Sequence, residues 1–153
     1  GGVILDIGSA EELKTVVHDL LQKFPGANGV QVQEQIPQGI EVIIGAVKDP
    51  SLGHGIMVGL GGTHVEISKD ISFGYAPVSR KQAQTMIERL SGFPILQGYR
   101  GNKGVNIELL ADLISRLSWI LMEIPQITEM DLNPLIYDAL SDRFVVVDCR
   151  VRF

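Results

Sequence analysis

The sequence predicts an α+β fold, a mostly antiparallel sheet with helices packed against it. Three observations carry this. Strand-type segments follow one another in the first half of the chain across short turn signals. Three stretches repeat apolar residues at helical spacing, and the chain closes on two strand-type segments separated by a short turn. Hairpins grouped with helices, rather than repeated strand-helix-strand units, mark this class. The 153 residues suit one domain or part of a larger one.

Two glycines lead at once into the strand-like residues 3–7, so the chain opens in mid-architecture, as expected of a piece cut from a longer protein. Ser9 and Glu12 have the form of a capping box. The helix behind it carries Leu13, Val16, Val17, Leu20, Leu21 and Phe24 at helical spacing and stops at Pro25-Gly26. His18 lies beside this stripe with no second metal ligand at a useful spacing, and reads as a surface residue. Residues 30–36 and 40–48 are strand candidates around the turn signal Pro37-Gln38-Gly39. Further strands are expected at 56–60, 65–67 and 71–73. Ser79 caps a second helix with Ala83, Met86, Ile87 and Leu90 as its stripe, ended by Gly92-Phe93-Pro94. A glycine-rich basic loop with Arg100 and Lys103 precedes a third helix over 106–122, whose wide apolar face includes Leu110, Leu113, Ile114, Leu117, Ile120 and Leu121, with Trp119 expected to pack as well.

A formal charge of −5 argues against a nucleic-acid partner, which calls for a basic stripe. No apolar run is long enough to span a bilayer and no signal-peptide pattern is present, so no membrane partner is expected. The single Cys149 excludes an internal disulfide, suits a reducing, cytoplasmic setting, and reads as a small core residue.

The closing segments are the most informative. With a turn centred on Leu140-Ser141, Asn133 faces Asp148, Asp131 faces Arg150 and Glu129 faces Arg152. Alternation puts all three pairs on one face, and Met130, Leu132, Cys149 and Val151 on the other. Opposed Cβ atoms lie roughly 4.5–5.5 Å apart. An amide oxygen and a carboxylate oxygen are the hard donors that Mg²⁺ takes, with water and phosphate oxygens filling the remaining positions. The same face also reads as the solvated side of an ordinary hairpin bearing surface ion pairs.

Gly59-Leu60-Gly61-Gly62 permits close backbone approach to an anion, although glycines equally mark turns and bulges. Arg100, between glycines, offers a planar fork for phosphate oxygens or a solvated loop residue. Asp49-Pro50 ends a strand and starts a turn, the alternative being that Asp49 orients a loop near the phosphates. Glu41, an acid among apolar strand residues, calls for solvent or a partner such as ribose hydroxyls. No serine sits in a nucleophile elbow, and one cysteine with scattered histidines does not make a zinc set.

Taken in order, Gly1-Gly2-Val3, Val32-Gln33, Gly39-Ile40-Glu41-Val42, Asp49-Pro50, Gly59-Leu60-Gly61-Gly62, Gly98-Tyr99-Arg100-Gly101, the segment from Glu129 through Asn133-Pro134-Leu135, and Asp148-Cys149-Arg150 resemble the ATP-grasp portion of the ADP-forming acyl-CoA synthetases, the acetate–CoA ligase family. The succinyl-CoA synthetase beta subunit is a more distant likeness. The resemblance implies an incomplete ATP-grasp fold over residues 1–153, with the lid segment and part of the first lobe upstream. It implies ATP/ADP and Mg as cofactors, with Asn133 and Asp148 on the metal. It also implies Gln33, Glu34 and Ile36 at a hinge beside adenine, Glu41 at the ribose or nucleotide, and Gly61, Gly62 and Arg100 near the phosphates.

The family interconverts an acid, CoA and ATP with acyl-CoA, ADP and phosphate through a phosphohistidine. The implied partners are therefore CoA-binding and phosphohistidine domains, on the same chain or a separate subunit, and small-molecule substrates. No catalytic residue is assigned to this chain, because the family's His-Lys pair would precede Gly1, and the fragment is expected to be inactive alone. His54 is a lesser phosphate-loop candidate. The alternative from another class is a non-catalytic nucleotide-binding module serving regulation or assembly.

Overall fold

The computed structural model describes residues 1–62, 70–99, 101 and 103–153. The strand expected at 65–67 and the expected phosphate ligand Arg100 lie outside the described residues. The chain divides into two compact units, Gly1–Pro37 and Gln38–Phe153.

The first unit holds one helix, α1 (Ala10–Lys23), started by the Ser9 hydroxyl, which accepts from the Glu12 N–H at 3.1 Å. Glu12 turns back to accept from the Gly8 N–H at 2.9 Å, so two early amides are satisfied as the sequence predicts. None of its residues is fully buried, and Leu21 and Phe24 stand open to solvent. Residues 3–7 and 30–36 are not strands, contrary to expectation. A strand pattern becomes a strand only where a neighbouring chain completes the ladder. Here the two stretches are tied by side chains instead: the Asp6 N–H donates to Gln35 Oε1 and Gln35 Nε2 donates to Asp6 Oδ1, both at 2.6 Å.

The second unit is a six-stranded sheet of antiparallel pairs: β1 (Ile40–Asp49), β2 (Gly53–Leu60), β3 (Ile71–Tyr75), β4 (Glu129–Asp138), β5 (Arg143–Val146) and β6 (Cys149–Arg152). The order is β3-β2-β1-β4-β5, with β6 beside β4. Two helices, α2 (Arg80–Glu88) and α4 (Ile107–Glu123), join the sheet's apolar side in one core, and the five-residue α3 (Phe93–Gln97) lies between them. Gly92-Phe93-Pro94 therefore does more than stop α2. Pro94 in the first turn begins α3, where its missing N–H leaves no bond unmade.

Alternation along β1 defines two sides. Val42, Ile44 and Ala46 join Ile56 and Val58 of β2 in the core beneath Met86, Ile87, Leu110 and Ile114 of the helices. Glu41, Ile43, Gly45 and Val47 point the other way, onto a side where Val47 is exposed, as are Phe73 and Tyr75 of β3. Ser79 caps α2 as the sequence predicts, and α4 gains a cap that the sequence reading did not assign. Ser79 and Gln82 form a capping box, and Asn106 Oδ1 accepts from the Leu109 N–H at 3.0 Å. In α4 the buried seam runs through Leu110, Ala111, Ile114, Ser115, Ser118 and Leu121. Ser118 belongs to that seam because its hydroxyl accepts from the Val78 N–H at 2.9 Å and donates to the Ser115 carbonyl at 2.7 Å. Trp119 follows about 100° further round the helix and is exposed, as is Ile120, so the expected packing of Trp119 is not found.

Candidate functional site

The hairpin register is the one read from the turn. Glu129 pairs with Arg152, Asp131 with Arg150 and Leu132 with Cys149; beyond the break between β6 and β5, Leu135 pairs with Val146 and Asp138 with Arg143. At the break the Asn133 N–H donates to the Asp148 carbonyl at 3.1 Å, and the Val147 N–H to the Pro134 carbonyl at 3.0 Å. Asn133 and Asp148 therefore oppose each other.

A bulge at the same point shifts the alternation of β4 just past Asn133. On the β1 side, Val42 pairs with Leu135 and Ile44 with Leu132, which leaves Asn133 and Pro134 together against Ile43. Buried residues along β4 accordingly change phase, from Met130 and Leu132 to Leu135 and Tyr137. A bulge of this kind re-aims a side chain at the edge of regular pairing. Asn133 is exposed, and so is Asp148 on the neighbouring segment. Simple alternation missed the bulge. Its signal was present in the apolar pair Leu132 and Leu135 with a proline between them, since proline cannot supply a ladder N–H.

Two expectations about this hairpin are corrected. Cys149 and Val151 do not pack on the core; both are exposed, because β6 is an edge strand outside the span of β2 and β3 that the helices contact. Arg150, although opposite Asp131 in register, makes its ion pair with Asp148 instead. Its Nη2 lies 3.5 Å from Asp148 Oδ2, while Arg152 Nη1 donates to Glu129 Oε2 at 2.9 Å as expected.

The turn that fixes this register is tied to the helix layer. Asp142, at φ +48°, accepts from the Tyr137 hydroxyl at 2.6 Å and from the Asn106 amide at 3.2 Å. The Tyr137 hydroxyl, and after it the Asn106 amide, hold the Asp142 carboxyl below its usual range, and the same bond raises the Tyr137 hydroxyl above its own. Asp138 is likewise held low, first by the Ser141 hydroxyl and then by the Leu140 N–H.

Glu41 and the glycine segment come together beside this strand pair. The Gly61 N–H donates to the Glu41 carbonyl at 2.7 Å, and a Cβ on Gly61 would fall 2.6 Å from Glu41 Cβ. Gly62 sits at φ +84°, with its Cβ direction 3.6 Å from Glu41 Oε2. Glycine is thus required at 61 for close approach, and the Gly61 amide is committed to Glu41 rather than held ready for an anion. Glu41 is half-buried and faces the side shared by Asn133.

Gln33 and Glu34 are exposed and Ile36 half-buried in the extended stretch of the first unit. Asp49 turns its carboxylate onto the Ser51 and Leu52 N–H groups at 2.7 and 2.9 Å, which makes it a turn residue. His54 is buried on the helix side with Nε2 2.7 Å from the Ile127 carbonyl, so it does not face the glycine segment.

Among the described residues no three histidines, cysteines or acids gather to hold a metal. The opposed Asn133 and Asp148 fit a divalent cation differently. They offer two hard oxygen donors on an open side, the partial set expected where water and phosphate complete the coordination of Mg²⁺.

The fold is thus an α+β domain whose sheet is covered by helices on one side, with Asn133, Glu41 and the glycine segment on the other. The chain belongs to the ATP-grasp domain family, which it matches over residues 1–153. It is 41% identical over 157 residues to the beta subunit of acetate–CoA ligase (ADP-forming) I of Pyrococcus furiosus, an alignment covering 99% of this chain and 67% of that protein. To the acetate–CoA ligase (ADP-forming) II of Archaeoglobus fulgidus it is 40% identical, covering 100% of this chain and 23% of that one. The solved structure of acetyl-coenzyme A synthetase 1 of Ca. Korarchaeum cryptofilum, in complex with coenzyme A and Mg-AMPPCP, superposes with a TM-score of 0.84 at 37% identity, covering 97% of this chain and 66% of that chain. The chain thus corresponds to the ATP-grasp portion of ADP-forming acid–CoA ligases, spanning about two thirds of the separate subunit and under a quarter of the fused enzyme. None of the described helices is long and apolar enough to cross a membrane.

Proposed function

We propose that this chain carries the ATP/ADP and Mg²⁺ site of an ADP-forming acid–CoA ligase acting in the cytoplasm. Residues 1–153 form part of its ATP-grasp domain. CoA-binding and phosphohistidine domains, on the same chain or on a separate subunit, complete the reaction of acid, CoA and ATP to acyl-CoA, ADP and phosphate. The carrying observation is the opposition of Asn133 and Asp148 at the β4 bulge, on the side of the sheet left open by the helices.

In this reading the Asn133 amide oxygen and an Asp148 carboxylate oxygen hold the cation. When bound, the cation neutralises charge on the phosphates during phosphoryl transfer. Glu41 accepts from ribose hydroxyls, and Gly61 keeps the backbone low enough for the nucleotide to pass beside it. Gln33, Glu34 and Ile36 contribute backbone groups to the adenine, and Arg100 a guanidinium to the phosphates. The chain's own work is binding and orientation, so the histidine that relays the phosphoryl group belongs to a partner domain.

Calorimetry of Mg·ADP binding to the complete protein tests the assignment. Asn133→Ala and Asp148→Ala should each weaken binding at least tenfold, on the order of one lost charge-assisted contact. Equal affinity in wild type and both variants rejects it.

A further inference from the structure

Arg150 lies two residues beyond Asp148 and opposite Asp131, so two carboxylates on one face are within its reach. The side chain holds Asp148, with Nη2 3.5 Å from Oδ2. Arg152, the next cation along the strand, is committed elsewhere, donating to Glu129 Oε2 at 2.9 Å. The guanidinium thus rests on the acid that the proposed cation site uses, although a second acid faces it across the strands.

We propose that Arg150 is an internal competitor for the divalent cation. It occupies Asp148 while the site is empty and is displaced when a metal binds. The inference rests on the assignment of Asn133 and Asp148 as metal ligands. Mg²⁺ draws a carboxylate oxygen to about 2.0–2.1 Å, and a guanidinium on the same carboxylate would press a like charge against it. Both side chains are largely exposed, at 78% and 54%, so the competition tunes affinity without closing the site. Displacement is also not a bare loss, because Asp131 stands directly across from Arg150 and can receive the guanidinium. Free metal has only the Asn133 and Asp148 oxygens to set against the Arg150 contact. Metal carried on nucleotide phosphates brings further binding of its own, so the site favours the metal–nucleotide complex over the free ion.

Binding of Mn²⁺ alone, read from the free-ion electron paramagnetic resonance signal with the complete protein, provides the test. Arg150→Gln should bind Mn²⁺ about threefold more tightly than wild type, the scale of an exposed ion pair, while Arg150→Lys, which keeps the charge, stays nearer wild type. Arg152→Gln should leave the affinity unchanged. In an Asp148→Asn background Arg150→Gln should add nothing. Unchanged or weaker binding by Arg150→Gln, or an equal gain from Arg152→Gln, overturns the competition. If Asp148→Asn alone binds Mn²⁺ as tightly as wild type, the metal-ligand assignment itself falls. If that variant binds weakly while Arg150→Gln matches wild type, only the competition falls.

Discussion

Asn133 and Asp148 meet where two neighbouring segments leave regular pairing together, the Asn133 N–H on the Asp148 carbonyl at 3.1 Å. Opposed positions are interchangeable toward a shared ligand in a way that neighbours along one strand are not. Exchanging the two side chains should therefore preserve one amide and one carboxylate at the site. Asp148→Asn alone is expected to weaken Mg·ADP binding at least tenfold, and the double variant Asn133→Asp/Asp148→Asn to regain most of the loss in calorimetry. A double variant as weak as the single one would separate the two residues functionally.

Gly61 lies so close to Glu41 that a methyl group would sit 2.6 Å from Glu41 Cβ and 2.9 Å from its carbonyl carbon. Those atoms are backbone or bound directly to it, so neither can move aside cheaply. Gly61→Ala should push the glycine segment off Glu41 and lower nucleotide affinity at least tenfold. Gly26→Ala, where a Cβ meets nothing within 4 Å, should leave affinity unchanged.

His54 is a buried histidine bound to the Ile127 carbonyl. Removing it leaves that carbonyl without this partner, so His54→Ala should cost about 1–3 kcal/mol of stability by urea denaturation. Nucleotide affinity of the folded protein should hold. A tenfold loss of affinity at unchanged stability would return His54 to the phosphate-binding role that its position does not support.

The two sides of β1 predict different outcomes for one substitution. Val42 is fully buried against the helices and Val47 is 62% exposed on the open side. Val42→Thr buries a hydroxyl and should cost about 1–3 kcal/mol. Val47→Thr should stay within about 0.5 kcal/mol, and equal losses would deny the sidedness of the strand.

The Tyr137–Asp142 bond links stability to pH at both ends. Asp142 is held below its ordinary 3.8, so its contribution is present above that value and is lost as pH falls through the lowered one. Tyr137 is raised above 10.0, so its contribution is present below that value and is lost as pH rises through the raised one. Tyr137→Phe should lower the urea midpoint at neutral pH and flatten both limbs of its pH profile. A profile parallel to that of wild type would show that the bond does not couple to folding.

The sequence by itself determined the register of the closing hairpin, because a turn at Leu140-Ser141 flanked by alternating polar and apolar residues favours one pairing of Glu129, Asp131 and Leu132 with Arg152, Arg150 and Cys149. It also determined the helix starts at Ser9, Ser79 and Asn106, where capping is a local matter of one side chain and one nearby amide. The tertiary structure decided what depends on distant neighbours. Residues 3–7 and 30–36 have the pattern of strands but no adjoining ladder, Cys149 has the size of a core residue but sits on an uncovered edge, and Arg150 had two acids within reach. The bulge that follows Asn133 and returns Leu135 to the core belongs to both levels: Pro134 announces it, but only the pairing of β4 with β1 fixes where the extra residue goes.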